Sequence, residues 1–284
     1  MLLLFLSLLG FAAGGKLLVV PMDGSHWLSM KPVVNELQHR GHEITVVVPE
    51  VSMHMGTAES FTIKMYPVPF TKEELERIFV SFVKGIFQEQ HFILRVLTIN
   101  EHLKETSAFF YSTCTHLLYN KELMDFIERS NFDAVFTDPM LPCGQIIALH
   151  LSIPSIFFLR EVPCGIDSKA TQCPAPPSYV PRTLLAYTDH MTFIQRVKNQ
   201  LLILAESFLC NFVYSPFENL ASEFLQRPMT MKELLSHGSI WLKKFDFAFE
   251  YARPVMPNMV FIGGINCVQN KPLSQVSDWF VKTH

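Results

Sequence analysis

The sequence predicts an α/β fold, a doubly wound and mostly parallel sheet over residues 16–266. Three observations lead there. Short apolar runs of strand length alternate with longer helical patterns, the rhythm of successive strand–helix–strand units. The first run, L-L-V-V at 17–20, does not alternate apolar with polar, as suits a strand covered on both faces. Polar residues, His26 and Asp138, follow strand ends, where open α/β sheets bind their ligands.

Taken in order, 17–20 is the first strand. Ser25 is placed to cap the helix that follows, which runs through V-V-N-E-L-Q-H-R to Gly41 as its stop, with Pro32 early enough to kink it. I-T-V-V-V at 44–48 is dense in β-branched residues and forms the second strand. F-T-I-K-M at 61–65 alternates, which suits a place nearer an edge. Residues 71–130 read as one long helical block around E-R-I-F-V-S-F-V-K-G-I-F. A-V-F-T at 134–137 is the next strand, followed by Asp138-Pro139, a helix over 141–150 and a strand over 154–158. The proline-rich C-P-A-P-P-S-Y-V-P-R at 173–182 is a loop. A long amphipathic helix over 189–213 and strands at 239–242 and 259–262 complete the pattern, which closes on Gly263-Gly264.

Of the 284 residues, 49% are hydrophobic, enough for a large core. Formal net charge is −3, without the basic stripe that nucleic acid demands, so no nucleic-acid partner is expected. The 25 phenylalanines against 3 tryptophans indicate first a bulky core and second a pocket for greasy aromatic ligands.

Residues 1–15, M-L-L-L-F-L-S-L-L-G-F-A-A-G-G, are too short to span a bilayer. They read as a signal peptide, with an apolar core at 2–9 and Ala12 and Gly14 at cleavage spacing, though no basic residue precedes the core. A buried first strand or helix is the alternative. The mature chain is then expected to start at Gly15 or Lys16 in the secretory pathway, where cysteines can pair. The six are Cys114, Cys143, Cys164, Cys173, Cys210 and Cys267, and none forms C-x-x-C, so no metal or redox motif is indicated. Most are expected as buried free thiols, with Cys164 and Cys173 the nearest candidates for a bridge. Past the leader no apolar run reaches spanning length. The nearest, 201–213, is broken by Glu206 and Asn211; it reads first as a core helix and second as an interfacial one that would make a peripheral membrane contact.

H-E-x-x-H, G-x-S-x-G, a Walker lysine loop and G-x-G-x-x-G are all absent, which disfavours those zinc, serine-nucleophile and nucleotide-phosphate chemistries. H-R-G-H at 39–42 has no further ligands near it in sequence. What remains is His26 and Asp138. If their strands are parallel neighbours, both side chains open on one sheet edge, and a carboxylate beside an imidazole fixes its tautomer and stabilises its protonated form. Each residue also has a plainer reading. Asp138-Pro139 fits an aspartate cap with proline at the first helical position, and His26 fits a solvated helix start. Spacing leaves these open.

D-G-S-H-W-L-S-M, T-D-P-M-L-P-C-G, T-Q-C-P-A-P-P-S-Y-V-P-R, D-H-M-T-F-I-Q-R-V-K-N and R-P-V-M-P-N-M-V-F-I-G-G-I-N-C occur in this order. Together they resemble the UDP-glucuronosyltransferases of the vertebrate family 1 type, over residues 16 to about 275. The resemblance implies a Rossmann-like acceptor-binding domain at 16–266, the N-terminal half of a GT-B glycosyltransferase. It implies that His26 deprotonates the hydroxyl of a small lipophilic acceptor, oriented by Asp138, and that UDP-glucuronate serves as co-substrate with no further cofactor. It also implies an endoplasmic reticulum lumenal setting and oligomers with full-length members. After K-P-L-S-Q the family continues into a donor domain, whereas this chain reads V-S-D-W-F-V-K-T-H. The expectation is therefore an acceptor half with a truncated interdomain linker and divergent tail at 267–284, with little turnover alone. The alternative is a non-catalytic variant that associates with full-length enzymes and modulates them.

Overall fold

The computed structural model describes residues 14–56, 60–87, 92–182, 185, 187–245 and 250–265. The expected leader falls outside these apart from Gly14 and Gly15, and the expected tail at 267–284, with Cys267, lies outside them altogether. Among the described residues the strands are β1 (Lys16–Val20), β2 (Glu43–Pro49), β3 (Thr62–Tyr66), β4 (Ala134–Thr137), β5 (Ser155–Leu159), β6 (Ile240–Lys243) and β7 (Met259–Phe261). They make one sheet in the order β3-β2-β1-β4-β5-β6-β7, every neighbouring pair parallel. Each expected strand forms within a residue of its expected place. The chain steps outward from β1 to β2 and β3, then returns to lay β4 on the other flank of β1. Strand order therefore reverses between β1 and β4, the position where a doubly wound sheet opens a crevice beyond its carboxyl ends.

The helices are α1 (Ser25–His39), α2 (Lys72–Phe87), α3 (Phe92–Leu118), α4 (Lys121–Arg129), α5 (Cys143–Leu151), α6 (Ile166–Thr171), α7 (Phe193–Phe224) and α8 (Met231–Ser236). Because strand side chains alternate, the sheet has two cores. Leu17, Val19, Ile44, Val46, Phe136 and Phe158 face Trp27, Met30 and Val34 of α1. Leu18, Val20, Val135, Phe157, Leu159 and Trp241 face the other way, into a core built with α3, α4, α5, α7 and α8.

Three expectations about helices are corrected. Ser25 does not cap α1: Gly24 holds the cap position at φ 76, with no side-chain cap bond, in a left-handed region open to glycine. The long block over 71–130 is three helices. Thr71 and Glu74 exchange side-chain bonds with each other's backbone at the start of α2, and Asn120 breaks the chain before α4 by accepting from the Leu123 amide at 3.0 Å. The amphipathic helix expected to stop at 213 runs on to Phe224, past Pro216. Proline there removes one amide from the ladder, and the Ser107 hydroxyl of α3 donates to the Val213 carbonyl, one turn back, at 2.9 Å. This helix is also apolar on two sides, since Phe193, Ile194, Leu201 and Leu204 are exposed while Leu202, Cys210 and Phe217 are buried.

The cysteine pairing is corrected as well. Cys114 bonds Cys143 and Cys164 bonds Cys210, with Cα–Cα distances of 5.4 and 6.3 Å, while Cys173 is free and buried. Cys164 and Cys173 are close in sequence, but α6 intervenes between them, and α7 brings Cys210 alongside Cys164 instead. Nearby, Lys243 at the end of β6 reaches Asp167 of α6 at 2.5 Å, both side chains almost completely buried.

Candidate active site

The end of the β1–β4 pair is fixed from two sides. Val20 pairs with Thr137, and the Thr137 hydroxyl donates to the Val20 carbonyl at 2.7 Å. Gly144 lets α5 lie directly against that threonine, because a Cβ at this position would fall 2.2 Å from Thr137 Oγ1. Pro21 and Asp138 therefore leave the sheet side by side.

The loop from β1 into α1 is held by Asp23. Its carboxylate accepts from the Gly24 amide at 2.6 Å and from the Met53 amide, beyond β2, at 2.7 Å. Trp27, Met30 and Val34 turn α1 into the core. His26, in the first turn, is thereby presented at the carboxyl edge of the sheet.

There the two residues singled out from the sequence meet. His26 Nδ1 lies 2.6 Å from Asp138 Oδ2, with the Asp138 side chain fully buried and the His26 side chain 25% exposed. The other carboxylate oxygen, Oδ1, accepts from the Met140 amide at 3.0 Å. Asp138 does not cap α5, which begins at Cys143 with Pro142 at its cap position. One oxygen holds the turn between β4 and α5 while the other engages the imidazole. A carboxylate offers only lone pairs, so Nδ1 carries the proton of this bond and Nε2 keeps its lone pair free for a proton from elsewhere.

Two more charged residues extend the row. Arg160 and Lys244 lie one residue past β5 and β6, as Asp138 lies one past β4. Arg160 is engaged by Glu250 at 2.8 and 3.1 Å. Lys244 lies over the Phe158 ring at 5.3 Å. Burial lowers its pKa below the ordinary 10.5, the charge of Asp138 opposes this and that of Arg160 adds to it.

Beside the pair, under the helical block, lies a small apolar cavity of about 20 Å³ walled by Tyr66, Phe70, Phe79, Phe109, Phe110 and Leu141 among others. His26 and Asp138 are not on its wall. It approaches them through Asp23, on the loop into α1, and through Leu141, whose amide donates to the Asp138 carbonyl at 3.1 Å. Burial pushes the Tyr66 phenol well above its ordinary value, so this polar group on an aromatic wall stays neutral. Among the described residues no cluster of His, Cys, Asp or Glu is arranged to hold a metal ion.

Sequence reasoning reached His26 and Asp138 but missed Asp23, Tyr66 and Lys244. The D-G dipeptide was a usable signal for Asp23, since aspartate before glycine is turn chemistry. Tyr66 and Lys244 fall under the same strand-end rule that found Asp138, but only once the ends of β3 and β6 are known to within a residue.

Comparison with known proteins identifies the family. The family model for UDP-glucoronosyl and UDP-glucosyl transferase matches residues 15–284. UDP-glucuronosyltransferase 1A1 of Rattus norvegicus is 51% identical over 280 residues, covering 98% of this chain and 52% of that protein. UDP-glucuronosyltransferase 1A1 of Homo sapiens is 50% identical over 267 residues, covering 94% of this chain and 50% of that protein. The chain thus spans about half the length of the curated relatives it matches. Among solved structures, the glycotransferase of kitacinnamycin is similar over 88% of this chain and 51% of its own, at 12% identity and a TM-score of 0.48. The fold stands on its own strand order and does not draw on that likeness.

Proposed function

The chain belongs to the UDP-glucuronosyl and UDP-glucosyl transferase family, and we propose that residues 16–266 form the acceptor-binding half of a glucuronosyl transfer, with His26 as base and Asp138 as its orienting partner. The single observation that carries this reading is the 2.6 Å contact between His26 Nδ1 and the buried Asp138 carboxylate, made at the point where strand order reverses.

The chemistry follows from that contact. With Nδ1–H donated to Asp138, the Nε2 lone pair takes the proton of the acceptor hydroxyl. The acceptor oxygen attacks the anomeric carbon of UDP-glucuronate, the bond from that carbon to the diphosphate oxygen breaks, and UDP leaves with the electron pair. Attack opposite the leaving group inverts the configuration. The imidazolium formed is stabilised by the charge of the buried Asp138 carboxylate. Positioned proton abstraction of this kind contributes roughly 10²–10⁴-fold. UDP-glucuronate is a co-substrate here, and the His–Asp chemistry itself draws on no metal or cofactor.

The aromatic side chains gathered beside the pair, among them Phe70, Phe79 and Phe109, suit the apolar bodies of small lipophilic alcohols and phenols. Two disulfides among the described residues fit an oxidising compartment, as the lumen of the endoplasmic reticulum is. The exposed apolar side of α7, at Phe193, Ile194, Leu201 and Leu204, fits a peripheral contact with its membrane.

A chimera in which this chain replaces the matched half of the rat relative tests the reading. Glucuronide formation from UDP-glucuronate and a simple phenol is expected, with kcat falling by about 10²–10⁴ in His26→Gln. Product formed at an unchanged rate by that variant would overturn the assignment.

A further inference from the structure

His26 stands on a turn that is anchored outside its own helix. Both oxygens of Asp23 are taken up by backbone amides. Oδ1 accepts from Gly24 at 2.6 Å and from His54 at 3.3 Å, and Oδ2 accepts from Met53 at 2.7 Å. Two of these three donors belong to the segment that follows β2. Amide bonds to an ionised carboxylate are roughly twice as strong as those to a neutral acceptor. The segment is itself shaped to present them: the Ser52 hydroxyl accepts from the Met55 amide at 2.8 Å and from the His54 amide at 3.3 Å, a serine turn. Met55 is then buried in the same core as Trp27 of α1.

On the helix side of Asp23, little else fixes the first turn. Gly24 holds the cap position of α1 at φ 76 and ψ −141, with no side-chain cap bond and no acidic residue in the turn. Glycine reaches that conformation without strain, but it also reaches many others. The direction in which α1 leaves β1 therefore rests on what holds the residue before it. Two residues past Gly24, His26 must bring Nδ1 to 2.6 Å from the buried Asp138 carboxylate. A displacement of about 1 Å at a reacting group can cost roughly 10²-fold in rate.

We propose that Asp23 is a positioning residue for the transfer, tethering His26 to the segment after β2, so that residues 52–55 govern turnover through the base. This rests on the reading of His26 as base. Asp23 itself handles no proton, because its oxygens are occupied by amides.

Asp23→Asn tests the tether. The amide is the same size, but whichever way it turns, one of its two sides sets an NH₂ group against a backbone N–H. In the full chain, nitrogen-15 shifts of the neutral imidazole report its tautomer, and the His26 signals are those lost in His26→Gln. The unaltered chain should show the Nδ1–H form, and Asp23→Asn should return His26 to the mixture of tautomers that free histidine shows. In the chimera described above, Asp23→Asn should lower kcat at least about tenfold, with acceptor KM within about twofold. Placed on His26→Gln, it should change kcat by no more than about twofold, while the melting midpoint drops in both backgrounds. If the asparagine variant melts too early, Ser52→Ala makes the same measurements by loosening the segment alone, with a loss in kcat of at least about threefold. An unchanged tautomer with kcat near the unaltered value would overturn the proposal. So would an equal loss in the His26→Gln background, which would show that Asp23 acts other than through His26. If the unaltered chain lacks the Nδ1–H form, or His26→Gln keeps full kcat, the base reading fails and takes this proposal with it.

Discussion

Replacing Asp138 by asparagine keeps the shape of the side chain and removes its charge. The structure gives the consequences. Asp138 has two partners, the Met140 amide at 3.0 Å on Oδ1 and His26 Nδ1 at 2.6 Å on Oδ2. An amide can keep the first by turning its oxygen to Met140. It then offers an NH₂ group to His26, which turns Nδ1 into an acceptor and moves the ring proton to Nε2, where the base is needed. Wrong-tautomer histidine and an unsupported imidazolium together should lower kcat by about 10³–10⁴, with acceptor KM changed little because no substrate contact is lost. Loss of one charge-assisted hydrogen bond should cost stability about 1.5–3 kcal/mol. The assay is kcat and KM for a phenol in the chimera with the rat relative's remaining half, alongside thermal melting of both proteins. A kcat within threefold of the unaltered value would refute the reasoning and leave Asp138 as the holder of a turn. A loss confined to KM would refute it as well.

Other outcomes follow from the fold. Asp167→Ala should destabilise by about 3–5 kcal/mol, because it strands a buried ammonium at Lys243; the double variant Asp167→Leu with Lys243→Met should recover most of this in urea titrations. Replacing both Cys164 and Cys210 by serine opens a link with sequence separation 46 and should cost about 4 kcal/mol on the chain-entropy estimate, seen as a lower midpoint under non-reducing conditions, with reducing agent then acting only through Cys114–Cys143. Burial holds the Lys244 pKa below 10.5 in the folded chain, so between that lowered value and 10.5 the unfolded chain binds more protons than the folded one. Stability should rise with pH across that alkaline window, and Lys244→Met should flatten the rise; equal slopes in the two proteins would count against the burial of Lys244.

The sheet was legible from the sequence because its strands are short, apolar and β-branched, and a parallel strand between two layers of helices leaves few other readings for such a run. The His26–Asp138 pair was legible for the same reason. Once 17–20 and 134–137 are neighbouring parallel strands, the residues just past them must share an edge, and only the distance was missing. The plainer reading of Asp138 as a helix cap failed because two oxygens can do two jobs, holding a turn and an imidazole together. Ser25 was misread as a cap because serine propensity is a local signal, while the glycine beside it answers a backbone geometry that sequence does not display. The pairing of Cys164 with Cys210 was out of reach, since it depends on how far α7 runs. That length in turn depends on Pro216 being tolerated inside the helix. The cavity walls come from the segments after four strands and from α2 and α3, so no single stretch of sequence announces them.

Kinetics of His26→Ala, Asp138→Ala and the double variant, measured as kcat for a phenol in the same chimera, test the central claim most directly. If the two residues act as one base, the His26 variant alone loses about 10²–10⁴-fold and the double variant loses no more than a few-fold beyond it. Losses that multiply, so that the double variant falls by the product of the two single effects, would contradict the account.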